Sequence, residues 1–274
     1  MNIAASNNKW WPTLSFRRYR AKHAALSGNY WFHQLATHNL RLSLDQAAPD
    51  ALVSSHVPPP FALKRFAETV SEMWDQLEGR ENAFRLNMLV MAAASLESYL
   101  EEAVTIHIGN LGHCNGPYEL NAVGKALGSP VLRSSTIPDM LKYVEILLGI
   151  SLDQQRTEWT DAFKLRCAAA HNGGVVTPKV LRDIPDIGIE LGEYISLSWD
   201  QLVKYLDAAF DIASKVDQKV ASNEASQLEL TWHLSQLREL HKLPARDDLW
   251  QYVDSMKFRP ITTEEKKIIE AAIY

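Results

Sequence analysis

Arg166 and His171 stand five positions apart in the stretch Leu165-Arg166-Cys167-Ala168-Ala169-Ala170-His171-Asn172-Gly173-Gly174. These are the residue types that metal-free cleavage of RNA requires. Attack by a ribose 2′-OH on the adjacent phosphorus needs a group of near-neutral pKa to move protons, and histidine supplies it. The charge that develops on the phosphorane needs a fixed cation, which the planar fork of arginine matches. The spacing is a complication. Five residues of an ideal helix turn through roughly 500°, which leaves the two side chains about 140° apart. Two geometries stay open: a last helical turn that departs from the ideal, or a composite cleft formed where two copies meet across an axis. The pair alone is a weak signal. Its purely structural reading is a helix-terminal histidine near the last carbonyls and an arginine on a solvated face.

The elements that must position this pair read as helices. Residues 1–58 show no regular pattern and end at Pro58-Pro59-Pro60, a breaker. Apolar residues then recur at helical spacing from Phe61 to Leu77, and a second, longer helix is expected from Glu81 to Ile108. That second segment is apolar nearly all round through Leu86–Ala94, as a central buried element would be. Glycines at 109, 112 and 116 predict loops up to about Leu127. Helices follow from Ser135 to Leu148 and from Leu152 to Ala170, the latter stopped by Asn172-Gly173-Gly174. Thr177-Pro178 opens a short helix, residues 192–198 read as a brief extended piece, and Ser198 caps a helix to Val220. Three more helices are expected at 225–242, 246–256 and 263–273, the last with a capping box. The expected fold is all-α: an irregular arm over residues 1–59, a helical bundle over 60–222 and a small helical extension over 223–274.

Composition agrees with a folded chain. Of 274 residues, 46% are hydrophobic and 22% charged, which excludes general disorder. Two cysteines, Cys114 and Cys167, give no disulfide framework. The first residues lack an apolar core of the secretory kind, and the apolar run from Met88 meets Glu97 before it could span a bilayer. A cytoplasmic protein with no membrane partner is expected.

The net charge of -5 conceals an asymmetry, because no acidic residue precedes Asp45. Arg17, Arg18, Arg20 and Lys22 stand there among Trp10, Trp11, Phe16 and Tyr19, a mixture able to hold a phosphate backbone and stack bases. The other reading is an arm whose aromatics pack on the core while its charges face water. His107, His113 and Cys114 lie close in sequence, yet no second cluster completes a zinc spacing, and no metal or other cofactor is expected. The chain also lacks a Gly-rich phosphate loop, a His-Glu-x-x-His and a nucleophile elbow.

A helix that ends in Arg166-x-x-x-x-His171-Asn172-Gly173-Gly174, followed by Thr177-Pro178, resembles the HEPN superfamily. Two further segments are similar to its stand-alone bacterial members: Leu96-Glu97-Ser98-Tyr99-Leu100-Glu101, and Gly192 to Leu202 leading into a closing helix. The likeness covers residues 60–222. It implies a helical bundle that forms a homodimer or larger homo-oligomer, with an Arg and a His from each copy in one cleft. It also implies cleavage of RNA without metal, leaving a 2′,3′-cyclic phosphate, in a toxin or phage-defence effector with a regulatory partner protein. On that basis Arg166 holds the scissile phosphate and His171 acts as general acid or base. Asn172 adds a hydrogen bond, and Glu97 either positions Arg166 or is a surface carboxylate. The chain departs from the family at Cys167, where a polar residue is frequent. It also lacks a tyrosine two residues after His171, so control by nucleotide attachment there is not implied. The alternative function is a non-catalytic helical module that dimerises and binds a partner protein or nucleic acid.

Overall fold

The computed structural model describes residues 10–56, 68–112, 137–185, 187–256 and 258–274. Among these the protein is all-α. Its helices are α1 (Leu14–Leu44), α2 (Val70–Asn110), α3 (Ile137–Leu148), α4 (Asp153–Asn172), α5 (Pro178–Asp183), α6 (Trp199–Val220), α7 (Asn223–Glu239), α8 (Leu249–Ser255) and α9 (Thr263–Ile273). The β pairing among the described residues is two isolated antiparallel bridges, Leu52 with Thr69 and Val175 with Tyr194. No helix among them is long and apolar enough to cross a membrane.

The all-α class is as expected, but the N-terminal arm is helical where no pattern was read. Helix α1 is 31 residues long. Its apolar residues do not form one face: Leu14, Phe16, Tyr19, Leu26 and Leu44 are buried, whereas Trp31, Phe32, Leu35 and Leu42 are exposed. Periodicity therefore gave no signal. The second difference lies at residues 77–81, where a break between two helices was expected. Instead α2 runs unbroken for 41 residues. Its start is fixed at Thr69, whose hydroxyl accepts from the Glu72 amide at 3.3 Å while the Glu72 carboxylate accepts from the Thr69 amide at 2.8 Å. Gly79 costs such a helix about 1 kcal/mol and does not end it. The part of the expected Phe61–Leu77 helix before residue 68, and the expected loops beyond residue 112, lie outside the described residues.

Local capping accounts for the later helices. Thr177 accepts from the Val180 amide with Pro178 in the first turn of α5, and Ser222 caps α7. Ser198 accepts from the Gln201 amide at 3.1 Å to start α6. Thr262 and Glu265 form the reciprocal capping box of α9.

The chain divides into two compact units. One holds the described residues of Met1–Arg20, Ser95–Thr160 and Ala208–Tyr274, the other those of Ala21–Ala94 and Asp161–Asp207. In the first unit, Leu14 joins Leu230, Leu234, Leu249, Val253, Ile269 and Ile273 in one buried cluster. The apolar residues Leu230, Leu234 and Leu237 of α7 thus form a packing face. In the second unit, Leu44, Val53, Val70 and Met73 pack together. There Asn82 also pins the extended residues before α6: its side-chain amide donates to the Ile195 carbonyl at 2.6 Å and accepts from the Leu197 amide at 2.8 Å.

Candidate active site

Both Arg166 and His171 belong to α4, which stays helical through Asn172. Its last turn therefore keeps the helical advance, and the side chains point about 140° apart, roughly 7.5 Å along the axis. The option of a distorted final turn within the helix is removed. The stop comes immediately afterwards, where Gly173 and Gly174 both take left-handed φ, 60° and 82°. The Gly174 amide donates back to the Ala168 carbonyl at 3.2 Å, and its carbonyl accepts from the Ile195 amide at 2.8 Å. Gly174 is also tight: a Cβ there would lie 3.1 Å from Leu86 Cδ1. The end of α4 is in this way tied to residues 192–195, part of the stretch 192–198 that the sequence read as a brief extended piece.

The two side chains have different surroundings. His171 is exposed and Asn172 half-buried beside it. Arg166 follows Ala162 and Phe163 on the buried side of the helix and is half-buried. Its guanidinium carbon lies 5.3 Å from the centre of the Phe163 ring, and Nη1 lies 3.9 Å from Cys167 Sγ. A cation over an aromatic face keeps its charge while its position is restricted. Just before it in the chain, Lys164 and Leu165 line a cavity of about 350 Å³ together with Gln201 and Tyr205. Burial and the nearby Asp161 carboxylate push the Tyr205 phenol above its usual range.

Glu97 is half-buried on α2. It belongs to the first unit, whereas Arg166 and His171 belong to the second.

The four arm cations divide. Arg18 donates to Glu102 at 2.7 Å and lies 3.8 Å from Glu229. Arg17 donates to the Met256 carbonyl at 3.2 Å and sits 6.0 Å from the Phe258 ring. Both are tied into the first unit, and Phe16 and Tyr19 are buried against Tyr99. That is the packed-arm reading for this stretch. Arg20 and Lys22 are exposed.

Sequence reasoning missed two buried carboxylates. Asp217 on α6 is 0% exposed and accepts from the Trp10 indole at 2.9 Å and the Thr13 hydroxyl at 2.5 Å. Glu229 on α7 is 4% exposed and accepts from the Leu14 and Ser15 amides at 2.5 and 2.6 Å. With Thr13 Oγ1 accepting from the Phe16 amide at 3.1 Å, every orphan donor in the first turn of α1 has an acceptor. Burial raises both carboxyls, Asp217 to about 6. A signal existed for Asp217: it continues the inward stripe of Ala209 and Ala213 by one more turn.

Of the metal candidates, His107 is half-buried and its imidazole is pushed down by burial, while His113 and Cys114 lie outside the described residues. Among the described residues no three His, Cys, Asp or Glu side chains converge as metal ligands.

No protein-family model matches this chain, and neither does any curated protein or solved structure.

Proposed function

We propose that the protein is a metal-independent endoribonuclease of the HEPN type in which Arg166 and His171 carry the reaction. The observation that supports it most is the placement of His171: exposed, at the last turn of α4, just before two left-handed glycines that stop the helix. A second copy brought to this end would find an imidazole open to it. The 140° separation within one chain then favours a cleft built from two chains.

In such a cleft one His171 takes the 2′-OH proton as the 2′ oxygen attacks phosphorus. The P–O5′ bond breaks, and the imidazolium of the other copy returns a proton to the 5′ oxygen. The products are a 2′,3′-cyclic phosphate and a 5′-hydroxyl. Arg166 holds the non-bridging oxygens as charge builds on them. Asn172 adds a hydrogen bond, and the exposed Arg20 and Lys22 attract the RNA backbone. The setting proposed is that of a cytoplasmic toxin or phage-defence effector kept in check by a partner protein, which rests on family resemblance alone.

A second reading has its own support. The half-buried Arg166 against Phe163 suits a non-catalytic module in which the arginine is a packing residue. Incubation with RNA in EDTA separates the two. The nuclease reading expects cleavage with cyclic-phosphate ends by wild type and its loss in both Arg166→Ala and His171→Ala. Equal cleavage by all three proteins, or none by a wild type that is active in cells, rejects it.

A further inference from the structure

The second unit holds an open cavity of about 450 Å³ lined by residues of α1, α2 and the start of α6. That volume lies within the range of small-molecule sites, about 300–1,000 Å³. Arg85 lines it and is only 3% exposed. Its guanidinium donates to Glu78 in a short contact and lies 3.6 Å from Glu81. Its carbon sits 5.2 Å from the centre of the Trp199 ring. The buried Arg85 Nε has no hydrogen-bond partner among the described residues. A guanidinium has five donors, and leaving a buried one unused is costly.

The partners of Arg85 are unequal. Glu81 is 8% exposed by side chain and is shared with Arg41, which donates to it at 2.8 Å. Glu78 is 69% exposed. It therefore stands at the edge of the site with water on one side, and it can turn away from Arg85 with little loss of solvation. Once it has turned, two guanidiniums face the single Glu81 carboxylate and the cavity carries an excess positive charge. Thr37 and Ser196 also line the cavity.

We propose that this cavity binds a phosphate group, with Arg85 and Arg41 as its cations and Glu78 occupying the arginine until the ligand displaces it. The planar fork of Arg85 can meet two phosphate oxygens at once, and stacking on Trp199 fixes its plane. The proposal does not depend on the nuclease reading, because Arg166 and His171 take no part in it. The phosphate can belong to the free ion, to a mononucleotide or to an RNA backbone.

Calorimetric titration of the full chain tests it, with three probes: inorganic phosphate, a nucleoside 5′-monophosphate, and a 2′-O-methyl oligoribonucleotide with a 5′-hydroxyl that cannot be cut. Saturable binding of at least one probe is expected, and the tightest of the three names the source of the phosphate. Replacing Glu78 by Gln (E78Q) removes the competing carboxylate and should tighten binding by about threefold or more. Arg85→Gln should weaken it by about tenfold or more. Arg41→Gln, on the more exposed partner, supplies a second weakening variant if Arg85→Gln does not fold. Absence of saturable binding up to about 10 mM overturns the proposal. So does an affinity left unchanged or lowered by Glu78→Gln, which marks the cluster as a structural ion network.

Discussion

The Thr13 hydroxyl donates to Asp217 Oδ1 at 2.5 Å, joining the cap of the first helix to a carboxylate 204 residues away in the chain. The same carboxylate accepts from the Trp10 indole, and Glu229 takes the next two amides. Helix α1 is thus held at its start by two anions that lie on other helices. A helix N-terminus carries partial positive charge, which complements them. Both nevertheless are buried, and their charges cost stability that the hydrogen bonds offset only in part.

Stability should depend on pH through Asp217. Burial pushes the Asp217 carboxyl from its ordinary 3.8 up to about 6, and Glu229 moves the same way. A carboxyl raised on folding binds its proton more tightly in the native state. Its contribution to stability is full below the unfolded pKa and is lost as pH rises through about 6. Urea unfolding at fixed ionic strength should show wild type losing on the order of 1–3 kcal/mol between pH 4 and 7 relative to Asp217→Asn. Parallel pH profiles for the two proteins would remove Asp217 as the cause.

Two glycines of α2 should respond with opposite sign. A Cβ at Gly109 would lie 2.5 Å from the Trp232 ring and 2.9 Å from Leu228, whereas nothing lies within 4 Å of one at Gly79. Gly109→Ala should destabilise by about 1–2 kcal/mol, since overpacking outweighs the gain in helix propensity. Gly79→Ala should stabilise by about 0.5–1 kcal/mol. Thermal melts of both variants against wild type give the comparison.

Asn82 offers a test of what holds the segment after Gly192. Its amide serves both the Ile195 carbonyl and the Leu197 amide, and both of those residues are 0% exposed. Asn82→Ala leaves two buried backbone groups without acceptor or donor, at a cost of about 2–4 kcal/mol. Hydrogen exchange should then speed up at Leu197 before it does so in α7. Unchanged exchange there would show that the amide is dispensable.

The sequence made some of this legible and hid the rest for physical reasons. Caps written in a few adjacent residues were readable: Thr177-Pro178, Ser198 and the Thr262–Glu265 box all start helices where expected. The stop at Gly173-Gly174 was readable for the same reason. Helix α1 was not, because its capping acceptors lie about 200 residues away and its exposed Trp31, Phe32 and Leu35 blur any single apolar face. The candidate site could be read only as residue types at one helix end. What spacing could not give was the half-burial of Arg166 over Phe163, which depends on how the helix is rotated in its unit.

In the proposed function, Arg166 and His171 cut RNA in a cleft shared between two chains. Its most direct test mixes subunits. Arg166→Ala and His171→Ala are purified separately, co-refolded at equal concentration, and assayed on RNA in EDTA with cyclic-phosphate ends as the readout. Each variant alone should retain less than about 1% of wild-type cleavage, because each lacks one role in every cleft. The mixture should recover a small but measurable fraction, since a hybrid cleft again pairs one Arg166 with one His171 as base, and water protonates the 5′ oxygen in place of the second imidazolium. Cleavage by either variant alone at the wild-type rate, or a mixture no more active than its components while hybrids demonstrably form, would contradict the claim.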